Sequence, residues 1–554
     1  MDKGITYGRR RPVPVYWFAT VASFDSAACQ PTSGATIEMV LSEVSTDTGV
    51  QPDKNKHFST EHLKEDLGRR TARGGAVTAA SQGVKFAVSM AATVVLARLL
   101  TPLDYGLIGM VAILINFVSM FQYMGLSTAT VKWAELNHKQ VSSLFWVNVG
   151  LSTGIALLTI AIAPLLAWFY KEPRLISITV GYALTLILSG LAIQHEALLS
   201  RQMRFGALAV IEVVSLVLGF LAAIIAAWFG AGYWALVVSQ VTITFTTLVG
   251  VWVACGWRPG LPARNTGVRS MLSYGGNLTG FNVMTYFSRN LDNALIGKVW
   301  GAYQLGLYAK AYQMLLIPMQ QINAPFAAVA VPALSRLADS PERYRRAYLS
   351  ILEKIAMITM PGVALMIATS DWLVLFLLGP QWQETSRIFM LLGVAAMIQP
   401  VTKTTWWLFS TQGRTNDLFR WGVIGGTIAI VSIVIGLPWG AIGVAATYSI
   451  GELCLSTPLL FWFVGRQGPI RAGDFYRTIV PSICAALFSI VVLVLCRPWL
   501  TGLSHLFWRL SFALIIAMVT SLLVFVALPQ GRRALHDAKA MSLLLMGRKS
   551  NAES

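Results

Sequence analysis

Long apolar segments dominate this sequence and limit the folds that it can adopt. From Gly74 to the neighbourhood of Leu528, mostly apolar runs follow one another with short polar breaks between them. Each run is close to the ~20 residues that a helix needs to cross the hydrocarbon of a bilayer. A helix also satisfies its own backbone hydrogen bonds, which lipid cannot do. The pattern therefore predicts an all-α integral membrane protein with about 14 transmembrane helices.

The charge content agrees with a membrane protein and excludes a soluble one. Only 12% of the residues are charged, whereas soluble domains carry about 25%. The formal net charge is +18, from 43 Lys and Arg against 25 Asp and Glu. Most of these cations fall in alternate loops and in the C-terminal tail, which by the positive-inside rule are cytoplasmic. The basic excess thus reports topology, with both termini in the cytoplasm, and excludes nucleic acid as a partner.

A weak internal repeat appears when the sequence is shifted by 200 residues. The segment 104–107 then falls on 304–307, and Gln82 falls on Asn282. The repeat lies at the start of each of two consecutive groups of six predicted helices. Parallel repeats of this kind predict two lobes related by an axis along the membrane normal, with a central cavity between them.

Five segments follow from the apolar pattern and the repeat. We predict a disordered cytoplasmic tail over 1–73, a first lobe over 74–260, a second lobe over 261–465, two further helices over 466–530 and a cytoplasmic tail over 531–554.

Several motifs resemble a known family of transporters. They are VLARLLTPLDYGLIGM (95–110), LFWVNVG (144–150), ALIGKVWGAYQLGLYAKAYQM (294–314), PALSRLADSPERYRRAYL (332–349) and LLGPQW (377–382). Together they are similar to the polysaccharide transporter branch of the multidrug/oligosaccharidyl-lipid/polysaccharide exporter superfamily.

The resemblance covers roughly residues 74 to 465 and implies a function. It implies a flippase that moves undecaprenyl-diphosphate-linked oligosaccharides across the bacterial inner membrane for exopolysaccharide or O-antigen synthesis. It also implies ion-coupled alternating access and, as partners, membrane lipids, a polysaccharide polymerase and the export machinery. Residues 1–73 match nothing in that family.

An anionic diphosphate needs cations inside the membrane, and the predicted helices contain some. Lys85, Arg289 and Lys403 are the candidate phosphate ligands, and Gln82 and Asn282 lie on the same polar helix faces as the first two. A charge at mid-bilayer costs about 2.5–3.5 kcal/mol on insertion scales. Cations in such positions are therefore expected to face a hydrated cavity.

Intramembrane acids are candidates for ion coupling. Asp292, Glu212 and Glu452 are such acids, although each could equally bond to a neighbouring helix. Arg289 and Asp292 are three residues apart, so an internal ion pair between them is an equal alternative to substrate contact. Lys310 and Arg98 lie nearer to predicted helix ends, and we expect both to extend toward the membrane interface.

Two other functions are alternatives to the flippase. A drug or cation exporter of the same superfamily would prefer acidic cavity residues, and the intramembrane cations disfavour it. A membrane glycosyltransferase or polymerase usually needs a large external catalytic loop, whereas the external loops here are short. The sequence has no GxxxxGK[ST] motif for nucleotide binding, and its five Cys show no metal-ligand spacing. We therefore predict a transporter rather than an enzyme, without a cofactor or metal.

Overall fold

The computed structural model describes residues 67–122, 130, 136–262, 268–529 and 531–532. Within these ranges, the side chains of 67–73, 76, 268–285 and 287–289 are outside the description. Most of the segment predicted to be disordered, and most of the predicted C-terminal tail, lie outside the described residues. The first helix begins at Leu67, before the predicted first span.

The described residues form helices joined by short connections. The first group comprises α1 (Leu67–Leu99), α2 (Pro102–Gln122), α3 (His138–Tyr170), α4 (Arg174–Arg201), α5 (Phe205–Trp228) and α6 (Trp234–Cys255). The second group comprises α7 (Val268–Arg336), α8 (Pro341–Ala368), the short α9 (Ser370–Leu377), α10 (Thr385–Thr411), α11 (Thr415–Gly436), α12 (Gly440–Gly451) and α13 (Thr457–Gly465). The chain ends with α14 (Ala472–Thr501) and α15 (Leu506–Ala527).

The all-α membrane class is confirmed, while the exact number of crossings is not. The described part of the chain contains 12 helical stretches that are long and apolar enough to span a membrane. Two of them, Asn290–Arg336 and Thr415–Gly465, have 47 and 51 residues, which at about 1.5 Å per residue is twice the thickness of a hydrocarbon core. The count of 14 stays a prediction.

Each of these two long stretches contains a break. In α7 the break is Gly301, whose φ of 79° and ψ of −178° are not helical. A glycine adopts this backbone conformation without the steric cost that a side chain would add. In the second stretch the turn Leu437–Trp439 separates α11 from α12, and these two helices pack against each other.

The two helix groups meet most extensively where α2 packs along α7. Residues of both helices belong to one apolar core, which includes the fully buried Leu107, Leu305 and Leu307. The core continues through α4 and α10, so it joins the first and second groups.

The contact between α2 and α7 repeats itself under the 200-residue shift. A Cβ on Gly106 would lie 1.7 Å from the carbonyl oxygen of Ala302, and a Cβ on Gly306 would lie 1.9 Å from that of Pro102. Position 302 is equivalent to 102 and position 306 to 106, so the same contact is made twice with the roles exchanged. This reciprocity is expected of a pseudo-two-fold axis between two equivalent helices. We call these four residues the glycine clasp.

The last two helices pack on the second group. α14 packs along α8, and α15 packs against α14. Asp474, in the first turn of α14, accepts hydrogen bonds from Arg345 Nε at 2.9 Å and Nη2 at 2.5 Å. The same carboxylate accepts from the backbone N–H of Arg471 at 2.9 Å, so it also caps the start of α14.

Candidate functional site

The end of the bundle that holds the glycine clasp is tied together by several side chains. Gln381 Nε2 donates to the carbonyls of Ala97 and Leu100, and Trp382 Nε1 donates to that of Ala97 at 2.7 Å. Arg98 donates to the Phe376 carbonyl at 2.7 Å. Every one of these bonds joins the first helix group to the second. The two groups are therefore closed against each other at this end.

Lys85 has an acidic partner that the sequence did not indicate. Its Nζ lies 2.5 Å from Glu212 Oε2, which α5 contributes. The side chain of Lys85 is 20% exposed and that of Glu212 is 51% exposed. Gln82, one helical turn earlier on α1, is also exposed. A candidate phosphate ligand and a candidate coupling acid thus form one ion pair with access to a polar ligand.

The second group contains another predicted cation and another predicted acid, on elements that pack together. Lys403 is exposed, although most of α10 around it is buried. Glu452 lies in the π-helical turn Glu452–Ser456 between α12 and α13, and α10 packs against this turn. Trp406, one turn from Lys403, is exposed as well. The first group therefore contains a Lys–Glu ion pair made from predicted residues, and in the second group Lys403 and Glu452 lie on elements that pack together.

The carboxylate of Asp292 accepts hydrogen bonds from a tyrosine hydroxyl group and a backbone N–H. Tyr308 donates its O–H to Asp292 Oδ2 at 3.0 Å, and the Asn293 N–H donates to Oδ1 at 2.7 Å. Tyr308 is fully buried and stacks on Tyr312. Gln399 donates to the hydroxyl of Tyr448, one helical turn before Glu452, at 3.3 Å. Asp292 and Glu452 are thus both on the edge of a tyrosine-rich interior.

Two predicted ligands cannot be placed. The side chains of Arg289 and Asn282 lie outside the described part of the structure. Their role, and the alternative ion pair between Arg289 and Asp292, remain predictions.

The expectation for Lys310 is wrong. This side chain is only 5% exposed and does not reach the membrane interface. Its Nζ lies 4.0 Å from the centre of the Tyr105 ring and donates to Gln313 Oε1 at 3.2 Å. Lys310 is buried because it follows the glycine clasp on α7, where α2 covers it. Cation–π contact and one hydrogen bond replace part of its hydration.

Neutral polar residues form a feature that the sequence analysis missed. Asn116, Ser189 and Gln240 line a cavity of about 270 Å³ between α2, α4 and α6. These helices have the composition of apolar spans, and a single amide or hydroxyl group in such a span does not by itself indicate a binding site. One sequence signal could have indicated the cavity: Gln240 lies on the face of α6 opposite to the apolar residues Val238, Phe245 and Val249.

Comparison with known proteins identifies a family. The model of the family described as "Polysaccharide biosynthesis protein" matches residues 95–387, which is more than half of the chain. The chain is 23% identical to lipopolysaccharide biosynthesis protein WzxC of Escherichia coli over 75% of its own length and 85% of that protein. It is 26% identical to amylovoran biosynthesis protein AmsL of Erwinia amylovora, over 67% of its length and 96% of that protein.

Solved structures show the same fold. The lipid II flippase MurJ in an inward closed conformation superimposes with a TM-score of 0.63 at 14% identity, over 80% of this chain and 97% of MurJ. An inward-facing multidrug resistance MATE family transporter of the MOP superfamily gives a TM-score of 0.52, also at 14% identity, over 71% of this chain and 96% of that one. These similarities establish the fold.

Proposed function

The chain belongs to the polysaccharide biosynthesis protein family, and from this premise we propose that it flips undecaprenyl-diphosphate-linked oligosaccharides across the bacterial inner membrane by ion-coupled alternating access. The products would serve exopolysaccharide or O-antigen synthesis. The protein acts as a transporter, and a polymerase and export machinery consume what it delivers.

The observation that carries this proposal is the glycine clasp. Alternating access needs two rigid halves that close against each other at one end of a substrate site and then at the other. Gly106 and Gly306 bring equivalent helices of the two groups into backbone contact at one end. With both termini in the cytoplasm, this end faces outward, so the described conformation is closed to the outside.

The ion pair of Lys85 with Glu212 provides a way to couple substrate to an ion, and we propose that Lys403 and Glu452 act in the same way. When a diphosphate enters, its oxygens compete with Glu212 for Lys85 and with Glu452 for Lys403. A phosphate oxygen forms a charge-assisted hydrogen bond with an ammonium group, as a carboxylate does. Each displaced carboxylate then has lost its cation and can take up a proton or sodium ion. Substrate entry and ion binding are thereby linked at the same residues.

Such coupling can drive transport without nucleotide. One charge that moves through 100 mV supplies about 2.3 kcal/mol, which biases the equilibrium between inward-open and outward-open states by about fiftyfold. Asp292, bonded to Tyr308, is a third acid that can take part in ion binding.

Reconstituted vesicles test the proposed function directly. The full chain is placed in liposomes with fluorescent undecaprenyl-diphosphate-linked oligosaccharide, and an impermeant reductant then bleaches whatever reaches the outer leaflet. We expect protein-dependent bleaching of the inner-leaflet pool, at a rate that rises with an imposed proton or sodium gradient. The same rate in protein-free vesicles would overturn the proposal, as would extension of the sugar chain detected by mass spectrometry.

A topology experiment tests the orientation. Reporter fusions at the C-terminus should be active in the cytoplasm and inactive outside, as the distribution of Lys and Arg predicts. The reverse result would place the glycine clasp on the cytoplasmic side and contradict the assignment of the closed end.

A further inference from the structure

The cavity in the first helix group is neutral and polar. It has a volume of about 270 Å³ and lies between α2, α4 and α6. Eight of the residues around it carry amide or hydroxyl groups: Asn116, Ser119, Gln122, Tyr182, Thr185, Ser189, Gln240 and Thr244. None of the described residues that line it is charged. We call this cavity the neutral pocket.

The neutral pocket opens toward the interior of the protein rather than toward lipid. On α6, Val238, Phe245 and Val249 are exposed on one face, whereas Gln240 and Thr244 lie on the opposite face. On α4 the exposed face contains Ile176, Val180 and Leu184, and the pocket residues again lie opposite. Apolar exposure marks the lipid side of both helices, so the polar residues face inward.

Helix α2 supports the same conclusion. Asn116 is the one exposed residue of α2, and α2 has no large apolar side chain that is exposed. An exposed amide on a helix that does not face lipid must border an internal hollow. Within the described part of the chain no residue bonds to the side chains of Asn116 and Ser189, so no described partner competes with a ligand for their donors and acceptors.

We propose that the neutral pocket binds an uncharged sugar residue of the lipid-linked oligosaccharide, an inference that rests on the proposed function. Amide and hydroxyl groups match the donors and acceptors of sugar hydroxyls one for one. A diphosphate would find no cation among the described lining residues. An acyl chain would leave the polar side chains of Asn116, Tyr182, Ser189 and Gln240 without a partner among the described residues, which costs free energy. The volume is near the lower end of the ~300–1,000 Å³ of small-molecule pockets, so it suits a single sugar ring.

The position of the pocket fits a sugar attached to a diphosphate at Lys85. Asn116 lies 14 residues after Pro102 and Lys85 lies 14 residues before Leu99. Both are therefore about 21 Å from the closed end along their helices. A head group at this depth can place its phosphates at the ion pair of α1 and α5 and a sugar against α2, α4 and α6.

Two variants on the same helix provide the test. Thr244→Val removes a hydroxyl from the pocket, while Thr242→Val makes the same change on the face of α6 that is exposed to lipid. Gln240→Leu removes an amide from the pocket. The probe is the oligosaccharide released by mild acid from the lipid-linked precursor of the producing cells. Its binding to the full chain in nanodiscs is measured by saturation-transfer NMR.

We expect Thr244→Val and Gln240→Leu each to weaken saccharide binding about three- to tenfold, the effect of one hydrogen bond. Thr242→Val should bind as the wild type does. Binding of undecaprenyl diphosphate without sugar should change by less than about twofold in all three variants, because its contacts are with cations elsewhere.

Three results separate failure of this inference from failure of the proposed function. Equal saccharide binding by Thr244→Val, Gln240→Leu and the wild type would overturn the pocket assignment while flipping persists. A signal that depends on sodium in place of potassium, and not on saccharide, would make the pocket a cation site and also overturn it. Absence of flipping in wild-type vesicles would overturn the proposed function itself.

Discussion

The first and second helix groups share their contact surface but differ in what they enclose. Around Gly106 and Gly306 the two groups make the same backbone contact with the roles exchanged under the 200-residue shift. Away from this contact, the first group encloses the neutral pocket of about 270 Å³, while the second group encloses a tyrosine-rich interior with a cavity of only about 10 Å³. At the contact, each group packs against an equivalent helix of the other group, so changes on one side must fit the other side. The interior of each group has no such constraint and can differ between the two groups. The neutral pocket thus gives the first group room for the sugar residue that we propose to bind there.

The largest expected effect is at the glycine clasp and tests the equivalence of the two groups. Gly106→Ala and Gly306→Ala each force a methyl group onto a backbone carbonyl, and overpacking of this kind costs about 1–3 kcal/mol. We expect both variants to unfold at lower temperature in detergent and to lose most of their transport. Gly154→Ala, where nothing lies within 4 Å, is the matched control. If only one of the two clasp variants is affected, the groups are not equivalent at this contact.

The next effect distinguishes the predicted cations from the predicted acids. Lys85→Ala and Lys403→Ala should weaken binding of the lipid diphosphate about ten- to hundredfold, since a hydrogen bond to a charged group contributes about 1.5–3 kcal/mol. Glu212→Gln and Glu452→Gln should bind the diphosphate at least as well as the wild type, because the Lys no longer has a competing carboxylate. Binding is measured by titration of the lipid into nanodiscs.

Losses of similar size in the Lys and Glu variants would show that the pairs are structural. If only the Lys and Glu variants of one group behave as proposed, the diphosphate site belongs to that helix group alone.

A smaller effect is expected at Asp292, which tests whether the second group serves an ion. Asp292→Asn removes a carboxylate without changing its size, so flipping should no longer be stimulated by a proton or sodium gradient. Tyr308→Phe removes one hydrogen bond to the same carboxylate and should reduce the stimulation by about threefold. Flipping rates are compared with and without the gradient. Full stimulation in Asp292→Asn would remove this residue from the coupling mechanism.

The smallest effect concerns the two C-terminal helices, which pack on the second group and have no counterpart on the first. Arg345→Ala should lower the free energy of unfolding by about 1 kcal/mol, because its side chain is 46% exposed and such pairs are weak. Asp474→Ala should cost about 1 kcal/mol more, since it also removes the cap of α14. Both values come from denaturant titration. A larger loss in Arg345→Ala than in Asp474→Ala would contradict the capping role.

Much of the architecture could be predicted because the membrane restricts the possibilities. Apolar runs of membrane length are helices, and the repeat that aligns 104–107 with 304–307 marks the contact that the structure forms between Gly106 and Gly306. The number of crossings is harder to predict from length and composition, since the breaks at Gly301 and Leu437–Trp439 lie inside continuous helical stretches.

The candidate site was predicted only in part. Lys85, Glu212, Lys403 and Glu452 could be selected because charges in apolar helices are costly. Their pairing could not, because Glu212 reaches Lys85 from a helix 127 residues further along the chain. The distance of Lys310 from a helix end predicts a side chain at the membrane interface, yet the packing of α2 over α7 decides its burial.

The order of polar and apolar residues alone determined that this chain is a helical membrane protein, because a bilayer accepts few other structures. Tertiary structure decided which cation meets which acid, which glycines touch across the halves, and which neutral side chains enclose a pocket. These depend on the rotation and depth of each helix relative to its neighbours, and apolar helices of similar composition carry little information about either.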